Sequence, residues 1–388
     1  MTPAARVAAA IDLLDAIIAG MPAEKVLTGW ARRARYAGSK DRAGVRDIVY
    51  DCLRNLRSYQ GVSGPGGRAA AIGWCQAQGM DPASVFSGEG YAPQPLTQGE
   101  ATPAPAPDAA AAADMQNWVW EMLKAQAGPE AALRHAMALK ARAPCDLRVN
   151  LPRMTMAEAQ GALAADGVET ERITGLPAGL RTTRRPARVF ATRAYLTGAV
   201  ELQDAASQAV VEALPLAAGQ HVLDYCAGGG GKTLAMAGRC PDARLAAWDI
   251  SAPRLRQLRA RATRAGVRVK VLAAPPAAAV YDIVLADVPC SGSGAWRRTP
   301  DAKWHLTPDR LAGLEAIQQK ILSDAWQNLR PGGCLAYTTC SIFARENERQ
   351  VDRFLQDQTA ARPAGRHCWP LGTPGDGFFL NLMTKICP

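Results

Sequence analysis

From His221 onward, short apolar runs alternate with stretches of helical length, and this alternation restricts the possible folds more than any other feature of the chain. The runs are His221–Ala227, Arg244–Ile250, Arg268–Ala273, Tyr281–Val288 and Gly333–Thr339, with a last one at Gly377–Ile386. Parallel strands need crossovers of a dozen or more residues, and a helix is the usual crossover. The pattern therefore predicts an α/β, doubly wound, Rossmann-like domain over residues 206–388. Ligands of such sheets bind beyond the carboxyl ends of the strands, so the loops after each run are where chemistry is expected.

The 388 residues exceed one ordinary core, so further domains precede this one. Val7, Ile11, Leu14 and Ile18 recur at helical spacing, and helical patterning continues to about Tyr59. Residues 1–75 are expected to form an all-helical domain, with a Gly-rich break at Gly61–Gly67. Residues 76–140 read as linker and connecting helices. Within them Ser87–Ala113, which includes Ala101–Pro107, is rich in Gly, Pro and Ala and reads as mobile, and Trp118–Lys140 reads as helix. Residues 141–205 read as a small α+β module.

Hydrophobic residues make up 48% of the chain and charged residues 21%, the balance of a soluble globular protein. No run of about 18 apolar residues spans a membrane, and Met1–Ala10 carries no secretory pattern, so a cytoplasmic protein is expected. The ten cysteines form no C-x-x-C pair and the four histidines have no ligand spacing, which argues against a metal site and against a disulfide framework. A formal net charge of +10 suits a polyanionic partner such as RNA. Arg32, Arg33, Arg35, Lys40, Arg42 and Arg46 form one basic group; Arg181, Arg184, Arg185, Arg188 and Arg193 form a second. A solvated face accounts for either group equally well. Nothing in the sequence suggests an obligate dimer, so a monomer is expected.

The first strand-end loop reads Asp224-Tyr225-Cys226-Ala227-Gly228-Gly229-Gly230-Gly231-Lys232-Thr233. Glycines after a strand let backbone approach a ligand without Cβ obstruction. A P-loop would need Gly where Cys226 stands, and a dinucleotide fingerprint fits Gly228-x-Gly230-x-x-Thr233 poorly. The second strand reaches Asp249, where a carboxylate can accept both ribose hydroxyls of an adenosine; capping the next helix is the bland alternative. Glycine loop plus ribose acid, without a phosphate signature, fits S-adenosylmethionine.

The fourth run ends in Asp287-Val288-Pro289-Cys290-Ser291-Gly292-Ser293-Gly294, and the fifth in Thr339-Cys340-Ser341. Each cysteine alone reads as structural, but two at neighbouring strand ends, one beside an aspartate, suggest covalent chemistry. Carbon 5 of cytosine is too weakly nucleophilic to attack a methylsulfonium. A thiolate added at carbon 6 makes it an enamine carbon, and an acid near ring nitrogen 3 stabilises the developing charge. The residues alone leave open which cysteine attacks.

In these motifs the chain resembles the Sun (Fmu/RsmB-like) family of RNA cytosine-5 methyltransferases, in its small-subunit ribosomal RNA branch. The resemblance runs from about Arg142 to the C-terminus. It rests on Arg142-Ala143-Pro144, Arg148-Val149-Asn150, Gln203-Asp204, Ser207-Gln208, the glycine loop, the Asp287–Gly294 motif, Pro300-Asp301-x-Lys303-Trp304, Thr339-Cys340-Ser341, Glu346-Asn347-Glu348 and Asp376-Gly377-Phe378-Phe379. Asp41-Arg42 and Arg46-Asp47 resemble the NusB-like helical RNA-binding domain of some members.

The resemblance implies cofactor contacts from Cys226, Ala227, Gly228, Gly229, Gly230, Gly231 and Lys232, with Asp249 on the ribose and Asp287 on both the target base and the cofactor. It implies Cys340 as nucleophile and Cys290 as the residue that aids release, the reverse of the DNA cytosine methyltransferases. Residues 141–205 would contact RNA. The chain departs from the family's pattern at Gly228-Gly229, usually Ala-Pro, and at Ala273–Ala277, where the family's third-strand aspartate is missing. Arg297, Arg298 and Lys303 could hold RNA phosphates, and Trp296 and Trp304 could stack on bases. Arg254, Arg261, Arg264 and Arg268 read as a solvated helical face. The alternatives to a ribosomal RNA methyltransferase are a transfer RNA methyltransferase, a catalytically silent ribosome-assembly factor and a DNA methyltransferase.

Overall fold

Thr2 opens the first helix: its hydroxyl accepts the amide of Ala5, and Pro3 takes the first turn, where a missing N–H costs nothing. A computed structural model of the chain describes residues 1–61, 63–100, 107–184, 189–276, 279–372 and 374–386. Two compact units result, one of residues 1–142 with 296–307, the other of residues 143–295 with 308–388.

The first unit is helical, with principal helices at Pro3–Ile18, Ala23–Arg33, Ser39–Arg54, Gly67–Ala77, Asn117–Ala127 and Pro129–Lys140. The buried stripe of the first helix is Val7, Ala10, Leu14 and Ile17, whereas Ile18 is 36% exposed. The expected boundary at 75 falls inside this unit. Gly67 starts a helix there instead of ending a domain, and a Cβ on it would lie 2.6 Å from the carbonyl of Ile11. The stretch read as a mobile linker is partly pinned: the Arg68 guanidinium donates to the carbonyls of Gln94 and Pro95 and pairs with Glu100 at 2.7 Å. Residues 101–106 lie outside the described residues, as do Arg185, Arg188 and Ala277.

The second unit holds two sheets. In the small one, β1 (Asp146–Val149), β2 (Thr170–Arg172), β3 (Gly179–Thr182) and β4 (Val200–Leu202) run antiparallel in the order β2-β3-β1-β4. The large sheet contains β5 (His221–Asp224), β6 (Arg244–Ala247), β7 (Lys270–Val271), β8 (Tyr281–Asp287), β9 (Leu329–Thr339), β10 (Ala361–Trp369) and β11 (Phe378–Lys385), ordered β10-β11-β9-β8-β5-β6-β7. Strands β5 to β9 pair in parallel, and β11 joins β9 antiparallel. This is the expected Rossmann-like sheet, with an antiparallel β10–β11 hairpin at one edge that periodicity did not predict in full.

Both faces of the central strands are buried. Leu223, Val284, Leu335 and Tyr337 pack with Leu322, Trp326, Val351 and Phe354, while Val222, Ile283, Leu285 and Ala336 pack with Val210, Val211, Leu214 and Met236. Helices on both sides explain why these strands read as near-continuous apolar runs. No helix among the described residues is long and apolar enough to cross a membrane.

Candidate active site

The chain turns from β5 into the helix Gly231–Arg239 through the glycine loop, and two of its glycines are required by backbone geometry. Gly228 and Gly230 have φ of +53° and +85°, where a side chain would be strained. A Cβ on Gly228 or Gly231 would meet nothing within 4 Å, so the loop opens onto free space. Below it Asp224 is 1% exposed and accepts the Thr233 hydroxyl at 2.6 Å. Burial raises its carboxyl to about 7, against the pull of that hydrogen bond. Sequence patterning assigned Asp224 no role, since its importance comes from depth.

Asp249, at the end of the β6 run, serves two backbone groups: one oxygen accepts Gly228 N at 2.8 Å, the other Ser251 N at 2.7 Å. It therefore fixes the glycine loop and the turn into the next helix, whose own N-cap is Ser251. Ionised carboxylate oxygens keep lone pairs for further donors, so ribose hydroxyls can still be accepted. An open glycine cradle, a helix N-terminus and an acid at its edge fit an adenosyl sulfonium cofactor.

Lys232 is 6% exposed, and its ammonium lies 2.7 Å from Asp287 and 5.0 Å from the ring centre of Phe378. Burial pushes this amine down, but Asp287, with weaker pulls from Cys340 and Asp224, leaves it above its ordinary value and charged. Adjacent parallel strands β8 and β9 deliver the two thiols: Sγ of Cys290 and Sγ of Cys340 are 3.4 Å apart. The Cys290 thiol is held well above its ordinary range by its hydrogen bond to Cys340, by burial and by the charges of Cys340 and Glu346. Lys232 thus places positive charge toward Cys340, while Glu346 places negative charge toward Cys290. Burial also pushes up the thiol of Cys226 in the glycine loop, which suits packing and not nucleophilic attack.

The loops around the thiols meet closely. Gly294 N donates to the carbonyl of Cys340 at 2.9 Å and Gly377 N to that of Gly294 at 3.0 Å; a Cβ on Gly294 would lie 2.0 Å from the Gly377 carbonyl oxygen. Other residues of the family-like motifs hold the small sheet in place. Arg148 donates to Gln203 at 2.6 Å, and the amide of Asn150 donates to the carbonyls of Gly198 and Ala265.

The segment after Gly294 needs correction. Lys303 is 1% exposed, donates to the carbonyl of Arg54 at 3.2 Å, and burial lowers its amine to about 7. Arg297 is 5% exposed and Arg298 half-buried. Burial in the helical unit makes Lys303 and Arg297 packing residues, not phosphate contacts. Trp296 is 1% exposed and the indole of Trp304 donates to the carbonyl of Leu53 at 2.7 Å, so both tryptophans also pack. Nor is the helix Ala252–Ala265 wholly solvated on its basic face: Arg261 pairs with the buried Glu201 of β4 at 3.0 Å, and Arg264 pairs with it too.

Residues 211–380 match the family model described as 16S rRNA methyltransferase RsmB/F. A ribosomal RNA small subunit methyltransferase B of Vibrio cholerae is 34% identical over 282 residues, which cover 69% of this chain and 64% of that protein. Its counterpart in Xanthomonas campestris is 35% identical over 310 residues, 74% of this chain and 69% of that one. The chain thus spans about two-thirds of these relatives. The crystal structure of PH0851 superposes with a TM-score of 0.81 at 23% identity, over 99% of both chains, and so shares the fold. The match of the thiol and glycine-loop segments, together with a relative of which this chain covers more than two-thirds at 35% identity, places the chain in the 16S rRNA methyltransferase RsmB/F family.

Proposed function

We propose that the chain methylates carbon 5 of a cytosine in small-subunit ribosomal RNA, with Cys340 as nucleophile and Cys290 as the group that aids release. The observation that carries this is the pair of thiols 3.4 Å apart at the ends of the adjacent strands β8 and β9, where β8 also ends in the Asp287 that pairs with Lys232. The methyl donor is S-adenosylmethionine, which supplies an electrophilic methyl group, with Cys226 to Lys232 and Asp249 holding its adenosyl part.

Cys340 sulfur, as thiolate, bonds to carbon 6, and the ring electrons move to carbon 5. Asp287, steered by Lys232, receives a hydrogen bond from the base or shares a proton with its ring nitrogen as negative charge develops there. Carbon 5 would take the methyl group as the donor's sulfonium sulfur keeps the electrons of the broken bond. A base then takes the carbon 5 proton, and the electrons of that C–H bond re-form the ring double bond as the carbon–sulfur bond breaks, its electron pair returning to Cys340. Cys290, in contact with that sulfur, supplies the proton that eases departure.

For RNA docking the helical unit offers Arg32, Arg33, Arg35 and Lys40, all exposed beside Tyr36, which is 73% exposed. A flat exposed ring among cations suits stacked bases and phosphates. This supports reading residues 1–75 as NusB-like in role.

The test uses labelled S-adenosylmethionine, unmodified small-subunit ribosomal RNA, and the wild-type, Cys290→Ala and Cys340→Ala chains. Cys340→Ala is expected to lose methylation and the denaturant-resistant protein–RNA adduct, while Cys290→Ala accumulates adduct. Adduct formed by Cys340→Ala would reverse the two roles. A wild-type chain that binds no cofactor and methylates no RNA would instead be an assembly factor.

A further inference from the structure

Glu346 lies in the loop that follows Cys340, between β9 and the helix Glu348–Asp357, yet it is bonded to residues of both thiol loops. Its side chain is fully buried. One oxygen accepts Ser291 N at 2.7 Å and the Gln318 amide at 3.0 Å; the other accepts the hydroxyls of Ser291 and Ser341, each at 2.5 Å. Ser291 follows Cys290 and Ser341 follows Cys340, so one carboxylate ties together the residues next to both sulfurs. Ser293 adds a second tie, with its hydroxyl 2.9 Å from that of Ser341 and accepting Ile342 N at 3.0 Å.

These four donors to Glu346 are all neutral. Burying a carboxylate on neutral donors costs more than burying a neutral amide in the same place. A glutamine could bridge two loops, so the charge needs a reason beyond tethering. Cys290 gives one: its thiol is held up first by its hydrogen bond to Cys340 and by burial, and the charges of Cys340 and Glu346 push the same way.

We propose that Glu346 is a positioning residue that holds the two thiols in register and bars Cys290 from the nucleophile's role. This rests on the reading of Cys290 and Cys340 as the reacting pair. It explains how two touching cysteines take different roles: the like charge of Glu346 disfavours a thiolate at Cys290.

Two measurements on the full chain test it without RNA. The first follows iodoacetamide alkylation of each cysteine against pH by peptide mass spectrometry; thiolate sulfur displaces iodide, so rate reports ionisation. In Glu346→Gln the midpoint for Cys290 should fall by about one unit, making its alkylation roughly tenfold faster below the midpoint. The second uses Ser341→Ala, which keeps the charge and cuts one tie. Diamide takes two electrons and two protons from the thiol pair, leaving a disulfide and a hydrazine. Ser341→Ala should close this disulfide several-fold more slowly than wild type, with the Cys290 midpoint unmoved.

An unchanged Cys290 profile in Glu346→Gln, or undiminished closure in Ser341→Ala, overturns the proposal. If Glu346→Gln does not fold, the closure rate of Ser341→Ala decides. A chain that shows both effects but methylates no cytosine retains the Glu346 assignment and loses only the functional reading.

Discussion

Asp224 shows how much a single buried acid constrains this site. Its carboxyl has almost no contact with water and is raised to about 7, chiefly by burial. In the unfolded chain it would ionise near its ordinary value of 3.8. Between those values the folded state keeps a proton that the unfolded state has lost, so stability falls as pH rises through the window and is level above it. Asp224→Asn keeps the acceptor for Thr233 and removes the titration. Its melting temperature relative to wild type should therefore climb from about pH 4 to about pH 7, with a gain of up to ~4 kcal/mol at the upper end. Calorimetry across that range checks this; a constant offset between the two chains would contradict it. Asp249, Asp287, Cys290 and Cys340 were legible in the sequence because each ends or follows a strand-like run. Asp224 and Glu346 also stand in motifs of the sequence, but their roles depend on depth and on which loops meet over them, and spacing carries neither.

At the level of elements, the parallel strands were legible because their apolar runs are bounded by glycines and charges. Strand β10 was not: Ala361–Trp369 contains Pro363 and Gly365 and is exposed along most of its length, which is edge-strand chemistry without a buried alternating face. The helix Ala252–Ala265 misled in the other direction. Its arginines suggest solvent, yet two of them close on Glu201, which is 3% exposed on β4, and Arg261 also donates to the carbonyl of Gly229 at 2.7 Å. The small sheet, this helix and the glycine loop are thereby linked. Glu201→Gln leaves both guanidinia without a carboxylate and should cost about 2 kcal/mol, less than a fully buried pair because the arginines are a quarter exposed. The urea midpoint should fall accordingly, and affinity for S-adenosylmethionine should weaken as the loop loses its anchor. Lost stability with unchanged affinity would confine the network to packing.

On the scale of the whole molecule, order along the chain and membership of a unit do not coincide. Residues 296–307 follow the Cys290 loop in sequence but fold with the helical unit. Asp301 accepts Ala23 N at 3.0 Å, Trp304 donates to Leu53, His305 meets the carbonyl of Ile17 at 2.8 Å, and Gln116 donates to the carbonyls of Lys303 and Leu306. The motif Pro300-Asp301-x-Lys303-Trp304 looked like substrate chemistry because it follows the Cys290 loop, whereas its contacts are those of a core. A fragment ending at residue 142 would lack this segment and leave the backbone groups of Ala23, Leu53 and Arg54 without their partners, each such loss costing about 1–3 kcal/mol if the group stays buried. The 1–142 fragment should therefore unfold at lower denaturant concentration than the same fragment joined through a flexible Gly-Ser linker to residues 296–307. Circular dichroism of the two through a urea titration measures the difference. Coincident curves would show that the helical unit is complete without the inserted segment. A clear gap would show that the helical unit draws part of its core from the sequence between β8 and β9.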